Sequence, residues 1–246
     1  MTIIELFGLP GSGKTFFYKS FAKNYKFELI DEEKLIKKIY KDYYFPFKIV
    51  DKIFINHYAL LPNLLLTILL KLIKNKILNF SNYNKVFFQK FEKLQDLSNF
   101  SRKRTTRIKY LFLRNLILEY YLINKKKKII YLKDQSFAQF PYLKYEIKDL
   151  KKRYFKSIIN QYYGKLNKNR ILVHINTKID DCIKRSNSRV YGKFYLNNEN
   201  IKKFKIINKI CLNSINNNKF DIIKLNDKES LKKNINKLKK YIQKKC

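Results

Sequence analysis

The residues best suited to chemistry form one short segment near the start of the chain. Gly8-Leu9-Pro10-Gly11-Ser12-Gly13-Lys14-Thr15 fits the pattern G-x-x-x-x-G-K-[ST]. Glycines let backbone N–H groups wrap a phosphate and adopt the left-handed dihedrals of a tight turn. Lys14 can reach the β- and γ-phosphates of a nucleotide, and the Thr15 hydroxyl can ligate Mg²⁺. The pattern therefore predicts a site for ATP or GTP with magnesium, with six binding residues: Gly8, Gly11, Ser12, Gly13, Lys14 and Thr15.

The elements on either side of this segment are those that such a loop requires. Ile3 to Phe7 is a short apolar run that predicts a buried strand, and Thr15 to Asn24 predicts a helix. A helix N-terminus adds unpaired N–H groups and a positive dipole end, which favour a bound phosphate. Strand, glycine-rich turn and helix in this order are the context that makes the pattern specific.

A second candidate follows the strand predicted for Ile129 to Leu132. Asp134 comes directly after that strand, and ligands of parallel α/β sheets bind at the carboxyl ends of the strands. A carboxylate there could hold Mg²⁺ through water, or take a proton from an acceptor hydroxyl. The alternative is an ordinary loop carboxylate that caps a turn.

Arginines supply the third candidate. Arg185 and Arg189 are four residues apart and share one helix face, where guanidinium groups could offset the charge of a transferring phosphoryl group. A solvated basic face is the alternative. The cluster from Arg102 to Arg107 could bind an anionic substrate or nucleic acid, but we favour a solvated segment. Asp31 is explained by a helix cap, and we expect His174, within an apolar strand, to lie in the core.

Five short strands alternate with helices along the chain, which predicts an α/β fold whose parallel sheet is covered by helices on both faces. The predicted strands are 3–7, 27–30, 129–132, 170–176 and 220–225. Helices are predicted at 146–163, 198–215 and 229–243, with another that is capped by Thr177 or Asp180 and runs to Arg189. The stretch of about 32–127 has helical patterns and is a long insertion between the second and third strands.

Composition limits the class of protein and its partners. The chain has 246 residues and 46% hydrophobic residues, with 55 Lys and Arg against 19 Asp and Glu, a net charge of +36. Such charge suits a polyanion, but codon-driven enrichment in Lys, Asn and Ile also explains it, and we favour this second origin. Three cysteines without paired spacing fit a reducing cytoplasm. We expect no transmembrane segment. Peripheral membrane contact and nucleic acid stay open alternatives that we do not favour.

Several of these motifs resemble those of a known superfamily. The glycine-rich segment is similar to the P-loop, or Walker A motif, of P-loop NTPases, and specifically to that of small kinases. Leu132-Lys133-Asp134-Gln135-Ser136-Phe137 resembles the Glu-Arg-Ser or Asp-Arg-Tyr patterns of nucleoside and nucleotide kinases, from which Gln135 departs. Arg185 and Arg189 resemble lid arginines of adenylate kinase and the deoxynucleoside kinases.

This resemblance implies one kinase-like domain over residues 1–246, with strand order 2-3-1-4-5 and a lid at about 185–196. It implies ATP- and Mg²⁺-dependent phosphoryl transfer to a small-molecule acceptor, such as a sugar or nucleoside hydroxyl or a nucleotide phosphate. The implied catalytic residues are Lys14, Asp134, Arg185 and Arg189, and the implied metal-binding residues are Thr15 and Asp134.

Other classes share parts of these motifs. Sulfotransferases carry a similar loop but typically lack the Gly-Lys pair that Gly13 and Lys14 supply. A P-loop ATPase that binds nucleic acid would use the basic charge, although such enzymes resemble one another in a strand ending in Asp-Glu, and here Gln135 follows Asp134. A nucleotide-binding regulatory protein without turnover is the third alternative.

Overall fold

A computed structural model of the chain describes most of both ends and part of the middle. The described residues are 2–25, 29–30, 85–96, 108, 111–112, 115–116, 118–119, 121–122, 130–134, 137–144, 152–166, 168–188 and 198–245. The predictions for Asp31, for the cluster from Arg102 to Arg107 and for Arg189 lie outside these residues.

Parallel strands form a single sheet at the centre of the described structure. The strands are β1 (Thr2–Phe7), β2 (Leu29–Ile30), β3 (Ile130–Lys133), β4 (Arg170–Asn176) and β5 (Asp221–Asn226). The sheet has the order β2-β3-β1-β4-β5, in which the two-residue β2 pairs with Ile130 and Tyr131 at one edge. β1 lies between β3 and β4, with Glu5 opposite Lys133 and Phe7 opposite His174.

Helices cover both faces of this sheet. The helices are α1 (Lys14–Asn24), α2 (Lys85–Asp96), α3 (Lys152–Gly164), α4 (Ile179–Asn187), α5 (Asn198–Asn217) and α6 (Leu231–Lys245), with a 3₁₀ helix at Phe137–Lys144. The predicted α/β class with a parallel sheet is therefore confirmed.

Alternation along the strands separates two apolar cores. In β1, Ile4 and Leu6 point to the side of α1 and α6, where they pack with Phe17, Phe21 and Leu238. The next residue, Phe7, points to the other side and packs against the 3₁₀ helix, α3 and α5. Because side chains alternate along a strand, a strand buried on both faces is apolar throughout, as the sequence of β1 largely is.

The predicted cap of α4 is wrong. The helix begins after Lys178, and no side chain makes a capping hydrogen bond there. The Thr177 hydroxyl donates instead to the Ser12 carbonyl at 3.1 Å. Thr177 therefore ties the end of β4 to the glycine-rich loop rather than serving its own helix.

Among the described helices, none has both the length and the apolar character needed to span a membrane.

Candidate nucleotide site

The loop between β1 and α1 has the backbone that its sequence predicts. Gly8, Gly11 and Gly13 have φ angles of 144°, 78° and 87°, in the region that residues with a Cβ rarely adopt. Gly13 is the N-cap of α1. The loop therefore ends with the unpaired N–H groups of a helix N-terminus, which is a favourable place for an anion.

Two of these glycines are also required by packing. A Cβ on Gly8 would lie 2.9 Å from the Ile175 carbonyl oxygen, and one on Gly11 would lie 2.2 Å from that of Cys182. Both neighbours are backbone atoms that cannot move aside easily. At these two positions glycine lets the loop pack against β4 and α4, which is a different reason from the phosphate access inferred from the sequence.

Gly13 differs from the other two because, among the residues that the structure describes, a Cβ there would meet only Nη1 of Arg185 within 4 Å, at 3.9 Å. Within this described part, the space beside Gly13 is therefore open and is bordered by a guanidinium group. An open cradle with left-handed backbone and a nearby positive charge fits a phosphate group.

Lys14 is buried within the loop and points back along it. Its Nζ donates to the carbonyl oxygens of Gly8 at 3.1 Å and Leu9 at 2.8 Å. It also lies 3.4 Å from Oγ of Ser12. The ammonium group is thus held inside the ring of backbone that would surround a phosphate.

Thr15, in the first turn of α1, and Asp134, directly after β3, are in contact. The Thr15 hydroxyl donates to Oδ2 of Asp134 at 2.7 Å, although 119 residues separate them in sequence. A hydroxyl at the start of α1 and a carboxylate at the carboxyl end of β3 suit Mg²⁺, which commonly takes one or two protein oxygens and completes its shell with water and substrate phosphates. Among the described residues, no group of three or more His, Cys, Asp and Glu could hold a metal by itself.

Gln139, in the 3₁₀ helix, makes two hydrogen bonds to the first glycine of the loop. Its Oε1 accepts from Gly8 N–H and its Nε2 donates to the Gly8 carbonyl, both at 3.0 Å. The 3₁₀ helix is itself held by Tyr162 and Tyr163, whose hydroxyls donate to the carbonyls of Phe137 and Ala138. Sequence reasoning missed Gln139, because nothing in the segment marks a partner 131 residues away.

Four charged side chains lie fully buried beneath this site. Arg170 pairs with Glu5 and, at 3.0 Å, with Glu119, while Lys133 pairs with Glu119 at 2.7 Å. Glu5 also accepts from Ala138 N–H at 2.9 Å. Two positive and two negative groups leave the cluster neutral, which satisfies charges that would be costly alone. The cluster joins β1, β3 and β4 to Glu119 of the helical insertion.

Burial shapes the ionisation of this cluster. Desolvation raises the pKa of Glu119, an effect that the neighbouring Lys133 opposes. Desolvation also lowers the pKa of Arg170, to about 9. We take the cluster as charged at neutral pH, since each cation has a carboxylate partner within hydrogen-bonding distance.

Three predicted residues remain. Arg185 lies near the loop, His174 lies in the core, and Arg189 lies outside the described part of the chain. Arg185 lies in the last turn of α4 beside Gly13, and its Nη2 donates to Oδ2 of Asp227 at 3.0 Å. His174 is buried on β4 as predicted. Burial lowers the pKa of His174 to about 4, with smaller effects of Lys224 and Lys14.

Comparison with known proteins gives similarity in structure only. No protein-family model and no curated protein matches the chain. Solved structures of deoxyadenosine kinase from M. mycoides are similar over nearly the whole chain. The structure with dCMP and dCDP has 14% identity, covers 99% of this chain and 100% of that chain, and has a TM-score of 0.47. The structure with dATP has 13% identity, 98% and 100% coverage, and a TM-score of 0.49. At these values the similarity does not indicate an activity for this chain.

Proposed function

We propose that this protein is a P-loop kinase that transfers the γ-phosphoryl group of ATP to a small-molecule acceptor in the presence of Mg²⁺. The acceptor is a sugar or nucleoside hydroxyl, or the phosphate of a nucleotide. The observation that carries the proposal is the contact between Thr15 and Asp134 beside a glycine loop with three left-handed residues. A carboxylate at that place is the group that a phosphoryl transfer to a hydroxyl needs.

Each residue of the site has a role in this proposal. Bound Mg²⁺ would supply electrophilic activation of the transferring phosphoryl group, and Thr15 would hold it, together with Asp134 acting through water. Loop N–H groups and Lys14 would bind the phosphates, and Lys14 would exchange its contacts with Gly8 and Leu9 for phosphate oxygens. With a hydroxyl acceptor, Asp134 would take the proton while the new P–O bond forms and the bond to ADP breaks. Arg185 and Arg189 would offset the charge on the phosphoryl group.

We also propose the strand order of the sheet, the number of domains, the cellular compartment and the binding partners. A five-stranded sheet in the order 2-3-1-4-5 is supported by the pairing of Leu29 and Ile30 with β3, and the chain is one kinase-like domain. Cys182 and Cys211 are buried, free thiols, which supports a reducing cytoplasm. Nucleotide and acceptor are the partners, and the basic charge is compositional.

Nucleotide binding is tested by melting temperature. Wild-type protein should melt at a higher temperature with Mg-ATP or Mg-GTP, because a ligand that binds only the native state stabilises it. Lys14→Ala should lose this increase, whereas Lys19→Ala, an exposed lysine on the same helix, should keep it. A wild-type protein without any nucleotide-dependent increase would contradict the proposal.

A further inference from the structure

The contact between Arg185 and Asp227 lies at the open side of the nucleotide loop. Arg185 belongs to α4, and Asp227 is the residue directly after β5. Nη2 of Arg185 donates to Oδ2 of Asp227 at 3.0 Å, while Nη1 lies 3.9 Å from the position that a Cβ on Gly13 would occupy. One edge of the guanidinium is thus held by the carboxylate, and another borders the loop.

The two partners of this ion pair are not equally fixed. The Asp227 side chain is 10% exposed and that of Arg185 is 47% exposed. Asp227 N–H donates to the Asn176 carbonyl at 3.3 Å, so its backbone is tied to the end of β4. The next turn is closed by hydrogen bonds from Lys228 and Glu229 to Asn226. Asp227 is therefore the anchored member of the pair, and Arg185 is the long side chain that it directs.

From this geometry we infer that Asp227 is a positioning residue that holds the Arg185 guanidinium at the phosphate loop for nucleotide binding. The inference rests on the proposed nucleotide site and assigns to it a residue that no sequence motif indicates. A guanidinium has five N–H donors in a planar fork. A carboxylate on one edge leaves donors for a phosphate on another, and it removes the entropy cost of ordering a flexible arginine when the nucleotide binds.

A second ion pair on the same strand supplies the matched control. Asp221, at the start of β5, pairs with Lys245 at 2.9 Å, and the side chains of both residues are partly exposed. It lies at the amino end of β5, whereas Asp227 follows the carboxyl end, where the loop is. Asp221→Asn removes an ion pair of the same strand, at a more exposed aspartate, without touching the nucleotide site.

The test is a double-mutant cycle on the full chain, with the dissociation constant of Mg-ATP measured by calorimetry at low ionic strength. Partly exposed charge pairs are least screened under this condition. Asp227→Asn should weaken Mg-ATP binding by about fivefold, and Asp227→Glu should restore part of the loss. Arg185→Ala should weaken binding by about tenfold or more. Adding Asp227→Asn to Arg185→Ala should have no further effect, since Asp227 then has no arginine to direct. Asp221→Asn should stay within about twofold of wild type.

Three results would overturn the role of Asp227. The first two are an unchanged or a tighter Mg-ATP affinity in Asp227→Asn. The third is that Asp227→Asn weakens Mg-ATP binding equally in the wild type and in Arg185→Ala. The last result would show a structural role, because a loop that merely loses stability would weaken binding with or without the arginine. Arg185→Lys is a second variant that keeps the charge without the planar fork, and it should bind with intermediate affinity. Wild-type protein that does not bind Mg-nucleotide would instead overturn the proposed function, and the role of Asp227 with it.

Discussion

The Thr15 hydroxyl donates a 2.7 Å hydrogen bond to the Asp134 carboxylate, and this contact joins the first turn of α1 to the residue after β3, which are far apart in sequence. It arises because β1 and β3 are adjacent and parallel, so that both of their carboxyl ends meet at one edge of the sheet. The glycine loop follows β1, and Asp134 follows β3. The phosphate-binding backbone and the carboxylate therefore occupy one site.

Asp134 should matter more for turnover than for nucleotide binding. If the carboxylate acts as the base or as a magnesium partner, Asp134→Asn should lower kcat by about 10²-fold or more. The dissociation constant of ATP should change little, because the loop and Lys14 are intact. Steady-state kinetics and calorimetry on the same preparation separate the two quantities.

Asp180→Asn provides the control for this variant, since Asp180 is an exposed carboxylate in the first turn of α4. It should leave kcat unchanged. A normal kcat in Asp134→Asn would reduce Asp134 to a turn residue that bonds to Thr15.

The glycine loop and its two flanking elements are the part of the site that sequence predicts best. A short apolar run, closely spaced glycines and a helix follow one another, so local pattern and local structure coincide. The strand at Arg170–Asn176 is likewise observed at the predicted bounds. Asp134 is found at the loop for a topological reason that holds for parallel sheets in general.

Residues that act through tertiary contacts escaped prediction. Phe137–Lys144 is apolar with Pro141 inside, which gives neither the helical nor the strand period, so its 3₁₀ helix and Gln139 had no signal. Thr177 looked like a helix cap because threonine favours caps, yet Lys178 is the N-cap of α4, and the Thr177 hydroxyl donates to the Ser12 carbonyl instead. Glu5, Lys133 and Arg170 were visible as charged residues within apolar strands. That sign of a buried ionic cluster was available in the sequence.

Gln139 should be needed for an ordered loop. Gln139→Met removes both hydrogen bonds to Gly8 while keeping a side chain of similar length. The Gly8 carbonyl keeps its bond from Lys14, whereas the buried Gly8 N–H loses the Gln139 acceptor. We expect a loss of about 1–3 kcal/mol in the free energy of unfolding and weaker binding of Mg-ATP. Urea unfolding and calorimetry measure these two effects. Gln161→Met, at an exposed position on α3, should change neither, and equal behaviour of the two variants would refute this role.

Gly11 should tolerate no side chain. In Gly11→Ala the new Cβ would lie 2.2 Å from the Cys182 carbonyl oxygen, at a φ of 78° that alanine rarely adopts. We expect a loss of at least about 2 kcal/mol in the free energy of unfolding, together with loss of nucleotide binding.

Gly164→Ala is the matched substitution, because its Cβ would meet a side chain and not backbone, at 3.1 Å from Oδ1 of Asn218. Its free energy of unfolding should stay within about 1 kcal/mol of wild type. Urea denaturation of both variants decides the point, and similar stability of the two would show that the loop does not pack on α4 as described.

His174 should make the protein sensitive to acid. Its pKa is lowered by burial from 6.5 to about 4, so between these values the unfolded chain binds a proton that the native state does not. The contribution of the neutral His174 to the free energy of unfolding is therefore fully present above about pH 6.5 and is lost as the pH falls through about 4. The part of this contribution that is lost between pH 7 and pH 5 amounts to about 2 kcal/mol.

The measurement is urea unfolding of wild type and His174→Gln at pH 7 and pH 5. The variant lacks the titrating group, so its stability should fall by about 2 kcal/mol less than that of wild type over this range. Groups that titrate in both proteins cancel in the difference. An equal fall in both proteins would show that His174 is not held neutral in the core.

The most direct test of the proposed kinase is transfer of labelled phosphate. Wild-type protein is incubated with γ-labelled ATP and Mg²⁺ and with a panel of sugars, nucleosides and nucleotides, beside Lys14→Ala and Lys19→Ala. We expect a labelled acceptor that forms only with Mg²⁺, disappears in Lys14→Ala and persists in Lys19→Ala. Release of inorganic phosphate that nucleic acid stimulates, without any labelled acceptor, would contradict the proposal and identify an ATPase instead.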